Sequence, residues 1–124
     1  MKIQESAENY LETILILQRR NGAVRSIDIA NELDFSKPSV SIAMRNLRQN
    51  EYIQVDEHGF ITLLPSGLKI AERMMERHNL LTGLLTTLGV SPKIAAEDAC
   101  RIEHVISDET FEAIKNYAKN PPRA

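Results

Sequence analysis

Residues 26–63 read SIDIANELDFSKPSVSIAMRNLRQNEYIQVDEHGFITL, and the order of signals within them decides the fold. Ser26 stands as an N-cap before Ile27, Ala30 and Leu33, which share one side of a short helix ending near Leu33. Asp34-Phe35 makes a turn and Ser36 a second N-cap. Pro38 then falls in the first turn of the next helix, where its missing N–H costs little. Val40, Met44 and Leu47 keep helical spacing until Asn50. Two short helices joined by a tight turn, the second opening with small polar residues, describe a helix-turn-helix. The β-prone runs Tyr52-Ile53-Gln54-Val55 and Phe60-Ile61-Thr62-Leu63 bracket the polar loop Asp56-Glu57-His58-Gly59. That pattern predicts a hairpin, the wing of a winged helix-turn-helix.

Working outward, Tyr10, Leu11, Ile14, Leu15 and Leu17 predict an amphipathic helix from Glu5 to about Arg20, stopped by Asn21-Gly22. On the other side, Ser66 is expected to cap a long helix to about Thr87, with Leu68, Ala71, Met75, Leu80 and Leu84 spaced to pack and Gly89 as the break. Ser91-Pro92 opens a helix through about Ile106. Ser107 caps a last one bearing Phe111, Ile114 and Tyr117, which Pro121-Pro122 ends. The expected fold is mainly α: a winged helix-turn-helix domain at residues 1–65 and a helical dimerisation domain at residues 66–124. Three helices make too small a private core, so burial against a second copy, a homodimer, is expected.

The 124 residues carry 15 Lys+Arg against 17 Asp+Glu, a mildly acidic balance that argues against indiscriminate nucleic-acid binding. Between Arg19 and Arg48, however, six basic residues face three acidic ones, a local net of +3 that suits phosphate contact. No apolar run approaches the roughly 20 residues of a membrane span, and the start MKIQE is no signal peptide, so a cytoplasmic protein with no membrane partner is expected. The single cysteine, Cys100, excludes a disulfide within the chain.

Cys100, Glu103 and His104 stand at i, i+3 and i+4, which puts a thiol, a carboxylate and an imidazole on one helical face. Each can ligate a divalent transition metal, and His78 on the preceding helix could add another donor. Taken alone, the cluster is equally a small buried thiol beside a solvated ionic pair.

The run Asp98-Ala99-Cys100-Arg101-Ile102-Glu103-His104-Val105-Ile106-Ser107 resembles the metal-site helix of the iron- and manganese-dependent repressors typified by the diphtheria toxin repressor and the manganese transport regulator. Glu8-Asn9-Tyr10-Leu11-Glu12-Thr13-Ile14 is similar to that family's first helix, Ser36-Lys37-Pro38-Ser39-Val40-Ser41 to its recognition-helix start, and Arg77-His78-Asn79-Leu80-Leu81 to its long helix. The resemblance covers residues from about 5 to 118, in a short form without the SH3-like third domain. It implies metal ligands at His78, Cys100, Glu103 and His104. Asn9 falls on the first-helix ligand position, where an amide oxygen binds more weakly than a carboxylate, and Glu12 on a second carboxylate position of the manganese-type members. It implies DNA contacts at Ser36, Pro38 and Ser39. Lys37 and Ser41 stand in the same opening turns and Arg45 a turn further on. Thr82 stands where the family has a long-helix carboxylate, Ala96 replaces a histidine of the toxin repressor's second site and Ile42 replaces a glutamine of the toxin repressor. A full second site and that operator therefore need not carry over, though Glu12, His78 and Glu97 could assemble such a site.

The resemblance implies a DNA-binding transcriptional repressor of metal homeostasis that acts as a homodimer on a palindromic operator in double-stranded DNA. Metal bridging the first helix and the dimerisation region would fix the spacing of two recognition helices against successive major grooves. The thiolate of Cys100 favours Fe2+ over Mn2+ as co-repressor, with Co2+ or Ni2+ as substitutes. The rival is a winged-helix regulator responding to a small organic ligand, which would share the first 65 residues but have no need of the Cys/Glu/His cluster. No nucleophile–base pair suggests an enzyme.

Overall fold

The computed structural model describes residues 5–119. Among these, six helices and a two-stranded sheet follow in order: α1 (Glu5–Asn21), α2 (Ser26–Leu33), α3 (Lys37–Gln49), β1 (Ile53–Val55), β2 (Ile61–Leu63), α4 (Pro65–Thr87), α5 (Pro92–Ile102) and α6 (Asp108–Lys119). The expected Pro121-Pro122 stop lies outside the described residues. The chain divides into two compact units that meet inside α4, between Arg73 and Met74, whereas the sequence reading put the boundary at the start of that helix. None of the described helices is long and apolar enough to cross a membrane.

The first unit is a winged helix-turn-helix. Leu11, Ile14, Val24, Ile29, Val40 and Ile53 are its most enclosed apolar side chains, so α1, α2, α3 and β1 all contribute to one core. The turn between α2 and α3 is made by Asp34 in the left-handed region (φ 55°), which lets the Phe35 N–H reach back to the Ala30 carbonyl. The strands pair antiparallel with Ile53 opposite Leu63 and Val55 opposite Ile61, and Ile61 N–H also donates to the Val24 carbonyl at 2.8 Å. Asp56 closes the wing turn: its Oδ1 accepts from the His58 and Phe60 N–H groups.

Two expected caps are differently built. The residue before α2 is Arg25, whose N–H donates to the Asp28 carboxylate, so Ser26 is the first helical residue instead of the cap. Ser66 lies inside α4 and donates its hydroxyl to the Glu51 carbonyl, tying the helix start to the end of the wing's approach. Ser36 caps α3 as expected, accepting from the Ser39 N–H at 3.2 Å.

In the second unit, Gly89 ends α4 at φ 106° while the Val90 N–H bonds the Leu85 carbonyl, the closure that a left-handed glycine permits. Ser107 caps α6 by accepting from the Thr110 N–H. The expected packing stripe of α4 is displaced: Ala71, Met74, Arg77 and Leu81 are buried, while Met75, Leu80 and Leu84 are only half-buried. Helix α5 ends at Ile102, a turn earlier than expected, because Glu103 begins a turn that carries the chain into α6.

Gly67 is buried at the start of α4 with its Cα against the Tyr52 carbonyl, where an added methyl would meet backbone. A backbone oxygen cannot swing aside as a side chain does. Gly67→Ala is therefore expected to destabilise the chain by about 1–3 kcal/mol in denaturant melts, and a variant as stable as the natural chain would show that the helix start can slide.

Candidate metal centre and nucleic-acid interface

Helix α4 and the turn after α5 bring together three of the expected metal ligands. His78 projects from α4, one residue beyond the buried Arg77, and its Nδ1 lies 3.1 Å from Glu103 Oε2. His104 Nε2 lies 3.3 Å from Glu103 Oε1. The Glu103 side chain is fully enclosed, and Oε1 makes no hydrogen bond. One buried carboxylate thus stands between two imidazoles, with an acceptor oxygen unsatisfied. Burying a charge this way is costly unless cations or a metal answer it. Two neutral imidazole nitrogens and a carboxylate are a donor set for a divalent transition metal, so the residues fit that group.

The turn is held by a residue that sequence spacing did not single out. Arg77 is 5% exposed and donates to the Glu103 carbonyl at 3.1 Å, the Ile106 carbonyl at 3.2 Å and the Asp108 carboxylate. Its guanidinium also lies over the Phe111 ring at 5.1 Å. Adjacent residues of α4 therefore fix both the backbone of the Glu103 turn and its carboxylate. The signal in the sequence was an arginine beside a candidate ligand on an otherwise apolar helix side, which has no distinctive spacing.

The remaining expected ligands belong to other elements. Cys100 is exposed on α5, in contrast to the enclosed Glu103 one turn later. Glu12 and Asn9 belong to α1 in the first unit; the Glu12 side chain is buried and Asn9 is half-buried. Because α5 ends at Ile102, the expected single helical face of Cys100, Glu103 and His104 is not formed as one helix: the last two residues are in the turn.

In the first unit, Ser36, Lys37, Pro38, Ser39, Ser41 and Arg45 are all exposed, as six expected DNA contacts must be. Val40, Met44 and Leu47 anchor α3 from its other side. Ser36 Oγ also donates to Ser39 Oγ at 2.7 Å, so the cap orders the start of the exposed face.

The hydrogen bond to Glu103 raises the His78 pKa above 6.5; burial opposes this and the Glu103 charge adds to it. A raised folded-state value means that the imidazolium–carboxylate pair stabilises the metal-free chain fully below the unfolded value and is lost as pH rises through the folded one. The melting temperature of metal-free protein is expected to fall as pH rises above the ordinary histidine value of 6.5, and His78→Gln to flatten that dependence. An unchanged pH profile in the variant would refute the pairing.

Comparison with known proteins agrees with both units. The model of the iron-dependent repressor N-terminal DNA-binding domain matches residues 2–59, and that of the iron-dependent repressor metal-binding and dimerisation domain matches residues 64–124. The transcriptional regulator MntR of Salmonella typhimurium is 36% identical over 110 residues, 89% of this chain and 70% of that protein. An HTH-type transcriptional regulator of Methanocaldococcus jannaschii is 30% identical over 115 residues, 91% of this chain and 92% of that one. A manganese-dependent transcriptional repressor solved in complex with manganese superposes with a TM-score of 0.84 at 28% identity, covering 94% of this chain. The chain spans 54% of that solved chain, about half its length. With both domains matched in order along nearly its whole length, the chain belongs to the iron-dependent repressor family of metal-dependent, DNA-binding transcriptional regulators.

Proposed function

We propose that this chain represses transcription in the cytoplasm by binding a palindromic operator as a homodimer when a divalent metal is held by His78, Glu103 and His104. The observation that carries this reading is the enclosed Glu103 carboxylate between two imidazoles, in a chain whose other unit exposes a capped recognition helix. Glu12 is proposed as the ligand contributed by α1, with Asn9 as a weaker amide donor and Cys100 as the thiolate. When bound, the metal supplies positive charge to an acidic donor set and ties its ligands to one geometry. By linkage, whatever favours the DNA-competent form must itself bind more tightly when operator is present. Leu88 and Val105, 71% and 70% exposed on the second unit, supply apolar surface for the partner copy. A regulator of this architecture responding to a small organic ligand would not need to bury Glu103 between histidines.

Iron(II) is proposed as the favoured co-repressor over manganese(II), with cobalt(II) or nickel(II) as working substitutes. Imidazole nitrogen and thiolate sulfur both favour the later metals, whereas manganese(II) prefers hard oxygen. Manganese named with the solved relative points the other way, whereas the family resemblance implies a carboxylate in manganese-type members where Cys100 stands. Anaerobic titration of operator binding with each metal decides between them. Cys100→Glu is expected to shift the preference toward manganese; a natural chain that responds to manganese at lower concentration than to iron would overturn the thiolate argument.

The recognition helix has its own test. Ser39 occupies the third helical position after the Ser36 cap, where glutamate is a good helix starter. Ser39→Glu should therefore leave the fold and metal binding intact while its charge, facing phosphate, lowers operator affinity at least tenfold. Unchanged affinity in a gel-shift titration would mean that α3 is not the reading head.

A further inference from the structure

Beside the recognition helix lies a pocket of about 230 Å³ lined by Ser26, Ser41, Met44, Arg45, Arg48 and Val55. We infer that it seats one phosphate of the DNA backbone, with Arg45 and Arg48 supplying charge and Ser26 and Ser41 supplying hydroxyl donors. The inference rests on the DNA-binding reading and goes further by assigning Arg48 and Ser26, which that reading leaves without a role.

The first argument is pairing. Within the first unit, Arg19, Arg20 and Arg73 lie within 4.0 Å of the carboxylates of Glu72, Glu32 and Glu8, and Arg25 covers the Phe60 ring at 4.3 Å. Arg45 and Arg48 have no carboxylate partner among the described residues, and both line this one pocket. No acidic side chain lines it. The nearby Asp28 carboxylate is engaged by the Arg25 N–H at 2.9 Å.

The second argument is helical position. Ser41, Arg45 and Arg48 stand at i, i+4 and i+7 on α3, one stripe flanking the buried line of Val40, Met44 and Leu47. Two guanidiniums three residues apart on one stripe repel each other, a cost that a shared anion removes. Arginine presents a planar donor fork that matches phosphate oxygens, and each serine hydroxyl can donate one hydrogen bond. The floor of Met44 and Val55 is apolar and fixed by α3 and β1, so the donors are held on a rigid base. Ser26 is present because Asp28, not Ser26, serves the α2 start, and its hydroxyl makes no hydrogen bond among the described residues. The seat lies on the flank of α3, which suits the backbone of the strand beside a groove and carries no base readout.

The test uses the full chain with saturating metal and a duplex that it selects from a random library. Log affinity is plotted against log salt for the natural chain, R45Q, R48Q, R45Q/R48Q and R45K/R48K, with thermal melts checking that each folds. In the single glutamine variants the remaining guanidinium still neutralises the phosphate, so affinity falls with little change of slope. The double glutamine variant is expected to lower the slope by about 0.9, the value for one phosphate, and the double lysine variant to keep it. The loss should be equal on the selected and a scrambled duplex. An unchanged slope in R45Q/R48Q, a loss near twice that value, or a loss confined to one base position would overturn the single seat while leaving DNA binding intact. Inorganic phosphate, added at constant ionic strength, should shift the Ser26 and Ser41 amide resonances only weakly; tight binding would assign the pocket to a free anion and overturn the DNA assignment. If the natural chain selects no duplex, the regulatory reading itself fails, and the seat with it.

Discussion

A carboxylate removed from water has to be answered where it lies, and the second unit is arranged around that requirement at Glu103. The two imidazoles of His78 and His104 approach its two oxygens, and Arg77 holds its backbone carbonyl together with that of Ile106. Arg77 and His78 are neighbours on α4, so a single helix sets both the position of the turn and the partner of its carboxylate. Asp108 completes the clamp from the start of α6. The break of α5 at Ile102 follows from the same arrangement: the Glu103 N–H still bonds the Ala99 carbonyl, while its own carbonyl is turned to the arginine.

The same enclosure explains why the donor set is suited to exchange between protons and a cation. Without metal, an imidazolium beside the carboxylate compensates its charge; with metal, the imidazoles must be neutral and the proton leaves. In the proposed site, selectivity would depend on the donors that join these three, and Cys100, exposed on α5, is the soft candidate among them.

The first unit solves a different problem, that of presenting polar groups to a polyanion without letting the protein consume them. Core positions on α1, α2, α3 and β1 hold the recognition helix rigidly from behind. In front, Ser36 caps and orients the first turn, and most arginines of the unit are engaged by carboxylates or by Phe60. Arg45 and Arg48 are left to face solvent on one flank. At the wing, the Asp56 carboxylate accepts from the His58 and Phe60 N–H groups.

The elements themselves were legible in the sequence, because helix period, strand alternation, Ser36 with Pro38, and Gly89 are local signals that act through the backbone within a few residues. The candidate ligands His78, Glu103 and His104 were legible too, as residue types and as a family resemblance. Tertiary structure decided what those local signals leave open. Ser26 and Ser66 look like caps because their side chains can cap, yet Asp28 reaches the α2 start first and Glu51 offers Ser66 a carbonyl. Period alone placed Cys100, Glu103 and His104 on one helical face, since it cannot register a break imposed from outside. That break is held by Arg77, 26 residues away from Glu103 in the chain, whose hydrogen bonds exist only once α4 and the turn are packed together.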